Sequence, residues 1–190
     1  ALYFSREERQ FFISKDPNSD NYAVAFCNSF RTDKSKKIEI VQYGSDHQEI
    51  SHASYENTNR EYEYFEFAGI TVIGSERVYL SIIAENNKVI LLGLKKGGAV
   101  LTSDVIDLPK DESIANGYVS FNQYTNEVII ILILYKVENK NLYIHPGIVF
   151  IDPSNGKTKR IVRSDYSKAI YQKGSDIYGK KYTYSGNPVN

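Results

Sequence analysis

Two apolar hairpin patterns, about 50 residues apart, constrain the fold of this chain more than any other feature. The first runs from Val78 to Leu92 and the second from Val128 to Ile151. In each pattern, two stretches rich in β-branched and aliphatic residues flank a polar tip, at Glu85–Lys88 and at Glu138–Asn141. β-Branched residues favour strands, and a polar tip between two such stretches is typical of a β-hairpin. The sequence therefore predicts an all-β protein.

Short sequence matches around the two hairpins indicate a repeated unit. Gly69–Val72 matches Gly117–Ser120 in pattern. Glu76–Val78 matches Asn126–Val128 in the same way. Tyr22–Cys27 and the strand that follows it would belong to an earlier, more divergent unit. We predict four antiparallel strands in each repeat-like unit, with units at about residues 10–60, 61–110 and 111–165.

Four antiparallel strands at a period of about 40–50 residues are typical of β-propeller blades. In the third unit, Val149–Lys157 reads Val-Phe-Ile-Asp-Pro-Ser-Asn-Gly-Lys. This segment resembles the turn before the last strand of a blade in propellers with quinoprotein-like repeats, where a hydrophobic strand ends in Asp, a turn of small residues and Gly-Lys. The resemblance implies a propeller-like fold, whereas the cofactor ligands of quinoproteins do not carry over. Residues 1–190 would form a single all-β domain or part of a larger propeller, and the alternative folds are a β-trefoil and a β-sandwich.

Composition excludes several classes of function. The net charge of zero provides no overall field to attract nucleic acid. The longest apolar run, Val128–Tyr135, is far shorter than the roughly 20 residues that a membrane helix needs. We therefore expect a soluble chain. Its compartment is left open, because a chain that starts at Ala1 and has no Met is compatible with export after removal of an N-terminal segment.

No combination of residues predicts catalysis, a metal or a cofactor. Asp46–His52 holds two histidines five positions apart, which is not the spacing of a zinc-protease helix, and we expect a polar loop there. Asp16, Asn18 and Asp20 have the spacing of the first calcium ligands in an EF-hand loop. The later positions of that loop hold the wrong residues, so a hairpin loop is the better interpretation.

An unusual tyrosine-rich segment contains the candidate ligand-binding residues Tyr55, Tyr62, Tyr64, Glu61 and Glu63. In a strand, Tyr62 and Tyr64 would share one face and the two glutamates the other. An exposed row of tyrosines suits stacking on a sugar or contact with a protein, because tyrosine combines a large rigid ring with a polar tip. The structural alternative, which we favour, is that these rings pack into the core.

Taken together, these features predict a non-catalytic binding module of β-propeller type that presents a protein-binding surface. Its partner would be another protein or further blades of the same protein. The alternative is a glycan-binding or glycan-processing protein that uses surface tyrosines and carboxylates. A scaffold subunit completed by another segment or chain is a third possibility.

Overall fold

The structure is a computed structural model of the chain. It describes residues 9–28, 35, 37–57, 62–63, 65–85, 88–108, 112–138 and 141–163. Within these ranges the chain forms twelve β-strands and no α-helix. The prediction of an all-β protein is confirmed.

The strands form three four-stranded antiparallel sheets, each made of strands that are consecutive in sequence. The first sheet contains β1 (Arg9–Lys15), β2 (Tyr22–Asn28), β3 (Ile38–Tyr43) and β4 (Glu49–Tyr55). The middle sheet contains β5 (Phe65–Ile73), β6 (Arg77–Ala84), β7 (Lys88–Lys95) and β8 (Ala99–Asp107). The third sheet contains β9 (Ser113–Asn122), β10 (Glu127–Glu138), β11 (Asn141–Ile151) and β12 (Thr158–Arg163).

The spatial order of the strands in each sheet is their order in the sequence, so each sheet is a simple up-and-down meander. Hydrogen bonding across strands therefore joins four consecutive strands at a time, and none of the three sheets formed by the described strands is closed. The predicted four-stranded antiparallel units are therefore present, and their arrangement as the blades of a propeller stays a prediction.

The prediction of a polar loop at Asp46–His52 is partly wrong, because β4 begins at Glu49. A short turn carries His47, and the chain then enters strand β4, which includes His52. β4 lacks an apolar alternation because its covered side carries Ser51, Ala53 and Tyr55, of which Ser51 accepts a hydrogen bond of 2.9 Å from Gly97 N–H. At this buried position a serine that is hydrogen-bonded to the middle sheet takes the place of an apolar residue.

Both faces of the middle sheet are covered. In β6, Val78, Leu80 and Ile82 belong to a core shared with the first sheet. Tyr79, between them, belongs to a second core shared with the third sheet. β7 repeats this division, since Leu92 lies in the first core and Leu91 in the second. Residues that alternate between two buried faces explain why the first hairpin is apolar without interruption.

The middle and third sheets approach closely at two glycines. β5 packs against β9, and a Cβ atom at Gly69 would lie 3.0 Å from Val119 Cγ1. A Cβ atom at Gly117 would lie 3.2 Å from Leu132 Cδ2 and 3.3 Å from Ile83 Cδ1. Gly69 also has a φ angle of 154°, which other residues rarely adopt. The matching glycines in the two repeats therefore meet at one sheet-to-sheet contact.

Candidate functional site

The tyrosine-rich segment lies mostly at the edge of the first core. Tyr62 is buried, with 2% of its surface exposed, and its ring meets Phe65 edge-on at 5.7 Å. Tyr55 is half-buried against the same core, and Glu63 is exposed. Glu61 and Tyr64 lie outside the described residues. A role for these five residues in ligand binding stays a prediction.

The third sheet has one covered face and one open face. Val128, Ile130, Leu132 and Leu134 of β10 are fully buried against the middle sheet. The residues between them point the other way, and no strand of the described ranges packs on that side. We call this side the C-terminal free face.

An apolar row crosses all four strands of the C-terminal free face. The strand register aligns Tyr118 with Ile131, Ile131 with Ile148, and Ile148 with Val162. Ile131, in the centre, is 41% exposed. Tyr118 and Val162 are also exposed, and Ile148 is half-buried. The row is therefore a continuous apolar strip in contact with solvent.

A buried carboxylate pairs with two cations at the edge of the same face. Glu127 accepts hydrogen bonds from both terminal nitrogens of Arg160, at 2.7 and 3.2 Å, and Lys159 Nζ lies 2.9 Å from Glu127 Oε1. These cations lower the pKa of Glu127 from 4.5 to about 2. The Arg160 guanidinium also stacks on Phe150, 3.7 Å from the ring centre. The edge of the face thus carries charges that are paired within the face.

The first sheet also has an open face, on the side away from the middle sheet. Phe11 pairs with Phe26, and Ile13 pairs with Val24, across β1 and β2. Phe11, Ile13 and Phe26 are exposed, with Phe26 at 48%. We call this side the N-terminal free face. An open groove of about 520 Å³ runs along it between the two phenylalanines and the Lys37–Glu39 ion pair.

Aromatic and charged side chains border the N-terminal free face at its other end. The rings of Tyr22 and Tyr43 stack with their centres 5.1 Å apart, and His47 Nδ1 lies 3.3 Å from the Tyr22 hydroxyl. Lys15 and Asp20 form an exposed ion pair of 2.6 Å in the hairpin after β1. This face therefore combines an apolar centre with paired charges at its border, as the C-terminal free face does.

The segment with the propeller resemblance lies at the contact between the middle and third sheets. Asp152 closes the turn by accepting hydrogen bonds from Ser154 N–H and Gly156 N–H, both at 2.8 Å. Gly156 has a φ angle of 75°, as the turn chemistry requires. The Tyr79 hydroxyl of the middle sheet donates to the Pro153 carbonyl at 2.9 Å. The turn thus fixes the edge of one sheet on its neighbour.

A second polar cluster lies at the start of the third sheet. His145 Nε2 and Arg163 Nε each lie 3.7 Å from a different oxygen of Glu112. His145 is 9% exposed, on the covered side of the sheet. Glu112, which directly precedes β9, thus contacts β11 through His145 and β12 through Arg163.

The described residues contain no group of three or more His, Cys, Asp or Glu side chains that could hold a metal ion. They also contain no helix long and apolar enough to cross a membrane. Cys27 is buried in the first core, and burial raises the pKa of its thiol to about 12. This cysteine therefore stays a protonated, unreactive thiol at neutral pH.

Comparisons with known proteins provide no family. No protein-family model matches the chain, and no curated protein is significantly similar to it. Among solved structures, the crystal structure of cobalt-substituted Synechocystis ACO is similar, with 8% sequence identity and a TM-score of 0.47. The match covers 81% of this chain and 38% of that chain. A similarity this distant carries no argument about activity or ligand.

Proposed function

We propose that the chain is a non-catalytic binding module of β-propeller type, in which each four-stranded sheet is a blade. The observation that supports this proposal is the stacking of three meander sheets, with an apolar face left open at each end. Blades of a propeller stack face to face in this way, and each blade buries both faces against its neighbours. The open faces are then the surfaces through which the module meets protein partners.

The strand β10 supports a protein partner for the C-terminal free face. Its residues Ile129, Ile131 and Ile133 are apolar on the open side, although a half-covered antiparallel strand normally alternates apolar and polar residues. The pattern is that of β6, which is covered on both sides. The sequence of β10 thus suits a strand with a protein neighbour on each face.

The glycan-binding alternative has less support. Stacking on a sugar requires exposed aromatic rings, and Tyr62 is buried against Phe65. The exposed aromatic rings on the two free faces lie beside branched aliphatic side chains, a setting more typical of protein interfaces than of sugar sites.

Binding of an environment-sensitive dye such as anilinonaphthalene sulfonate tests the proposal. The dilute folded chain should enhance the dye fluorescence, and Ile131→Asp and Phe26→Asp should each remove a large part of the enhancement. Ile161→Asp is the control, because Ile161 is 40% exposed but pairs with Val149 on the covered side of the third sheet. A folded chain that does not bind the dye would contradict the proposal that open apolar faces are its binding surfaces.

A further inference from the structure

The three sheets always meet in the same sense. β1 and β2 of the first sheet contact β5, the first strand of the middle sheet, and β5 and β6 of the middle sheet contact β9, the first strand of the third sheet. The C-terminal free face of the third sheet therefore corresponds to the face of the middle sheet that contacts the third sheet. The N-terminal free face of the first sheet corresponds to the face of the middle sheet that contacts the first sheet. Ile131 illustrates the equivalence, since it lies in β10 at the position that Ser81 has in β6, and Ser81 is fully buried towards the third sheet.

We propose that the C-terminal free face of one chain docks on the N-terminal free face of a second copy, and that the reciprocal contact closes a ring of two chains. This proposal rests on the propeller-type function proposed above and names its partner. Three sheets from each copy give six in the ring, which lies within the range of about 4–8 blades for propellers. Contacts of one face with a different face either close a ring or continue as a filament.

The chemistry of the two faces suits this contact. The C-terminal free face presents branched side chains around Ile131, and the N-terminal free face presents the larger rings of Phe11 and Phe26. Large rings against shorter branched chains can interdigitate as they do between packed sheets. The docking also continues the interface between the middle and third sheets, where the same side of a sheet already meets its neighbour.

The charges at the borders favour docking because they are already paired. On one face Glu127 is held by Arg160 and Lys159, and on the other Lys37 is paired with Glu39. An interface that covers these groups leaves no lone charge without a partner, which would oppose association strongly. The C-terminal border keeps one excess positive charge and the N-terminal border is balanced, so the two borders do not repel each other.

Single-face variants of the full chain test the proposal. Sedimentation and native mass spectrometry should give twice the 21.7 kDa of one chain for the wild type. Phe26→Asp and Ile131→Asp should each raise the dissociation constant on the order of 100-fold or more, because each places an unpaired charge in both contacts. Circular dichroism would establish that both variants keep the wild-type β-structure, and Ile161→Asp should associate as the wild type does.

Mixing the two variants distinguishes a contact between unlike faces from one between like faces. A mixed pair of Phe26→Asp and Ile131→Asp chains retains one contact in which both faces are unaltered. The mixture should therefore recover two-chain species that neither variant forms alone, at an affinity below that of the wild type. Contact between two copies of the same face would instead leave one of the variants associating normally.

Four results would overturn the proposal: a wild-type chain that stays at 21.7 kDa at millimolar concentration, association insensitive to one variant, a mixture without recovery, or open-ended filaments. A monomer that still binds the dye would leave the open faces as binding surfaces and assign them to a different protein or to further blades. A monomer that does not bind the dye would remove the proposed function as well. The two failures are thus distinguishable.

Discussion

Glu127 is a buried carboxylate whose ionised form is held by two cations. Its pKa in the folded chain, about 2, lies below the ordinary value of 4.5, because Arg160 and Lys159 hold the ionised carboxylate. A group with a depressed pKa stabilises the fold above its unfolded pKa, and this contribution disappears as the pH falls towards the folded pKa. The stabilisation is therefore present above about pH 4.5 and is lost between pH 4.5 and 2.

Replacing Glu127 tests this assignment. Glu127→Gln should lower the melting temperature at neutral pH, and its melting temperature should fall less than that of the wild type between pH 4.5 and 2. Glu76→Gln is the control, because the Glu76–Lys96 pair at 3.4 Å is exposed and screened. Thermal melts of dilute protein at several pH values make the comparison. Parallel pH profiles for Glu127→Gln and the wild type would show that the ion pairs of Glu127 do not contribute in this way.

Gly69 is a position where an added side chain would meet Val119 and would also be strained by the positive φ angle of the backbone. Gly69→Ala should destabilise the fold by about 1–3 kcal/mol more than Gly74→Ala, because an added Cβ meets Val119 at the contact between β5 and β9. Gly74 also has a positive φ angle, of 52°, but has nothing within 4 Å of an added Cβ, so its loss contains a backbone cost and no steric contact. Urea denaturation measures both. Equal losses would mean that the sheets do not approach closely at Gly69.

Strand β10 offers the sharpest contrast at the level of an element. Ile130 is fully buried against the middle sheet, and the next residue, Ile131, lies on the free face. Ile130→Ala should cost about 2–5 kcal/mol of the free energy of unfolding, as large-to-small core changes do. Ile131→Ala should cost clearly less in the monomer, because 41% of the Ile131 surface is already exposed. Denaturation at the lowest usable concentration measures both, and similar losses would contradict the one-sided burial of this strand.

The strands differ in how well the sequence predicts them. β6, β7, β10 and β11 follow from continuous apolar patterns and clear turn residues such as Asp152–Gly156. β4 was missed, because its covered side uses Ser51 and Ala53, and a hydrogen bond to Gly97 replaces apolar contact. Local propensity does not encode such a contact between sheets, since its partner lies in a distant part of the sequence.

The candidate site was harder to predict than the fold. Alternating tyrosine and glutamate fits both an exposed row and a core strand, and only tertiary packing of Tyr62 on Phe65 distinguishes the two. The free faces had no sequence signature of their own, because the open side of β10 is at least as apolar as the covered side of β6 that carries Tyr79, Ser81 and Ile83. What separates these strands is whether a neighbouring sheet is present, and that is a property of the assembled structure.

At the scale of the whole molecule, the sheets form a stack with a covered centre and open ends. Among the described residues, the middle sheet has a core on each face, whereas the first and third sheets have a core on one face only. Such an arrangement can add further sheets at either end without changing the sheets already present. The association of two copies proposed above is one way to cover both ends at once.

Thiol labelling of the dilute native chain tests this arrangement most directly. Ser81→Cys and Ile131→Cys place a thiol at equivalent positions of the middle and third sheets, and buried Cys27 provides the unlabelled baseline. Because the buried Ser81 hydroxyl has no hydrogen-bond partner among the described residues, its replacement breaks no bond. We expect Ile131→Cys to react rapidly and Ser81→Cys to react only on unfolding. Equally fast labelling of both in the folded chain would contradict the covered middle sheet and, with it, the stacked-blade account.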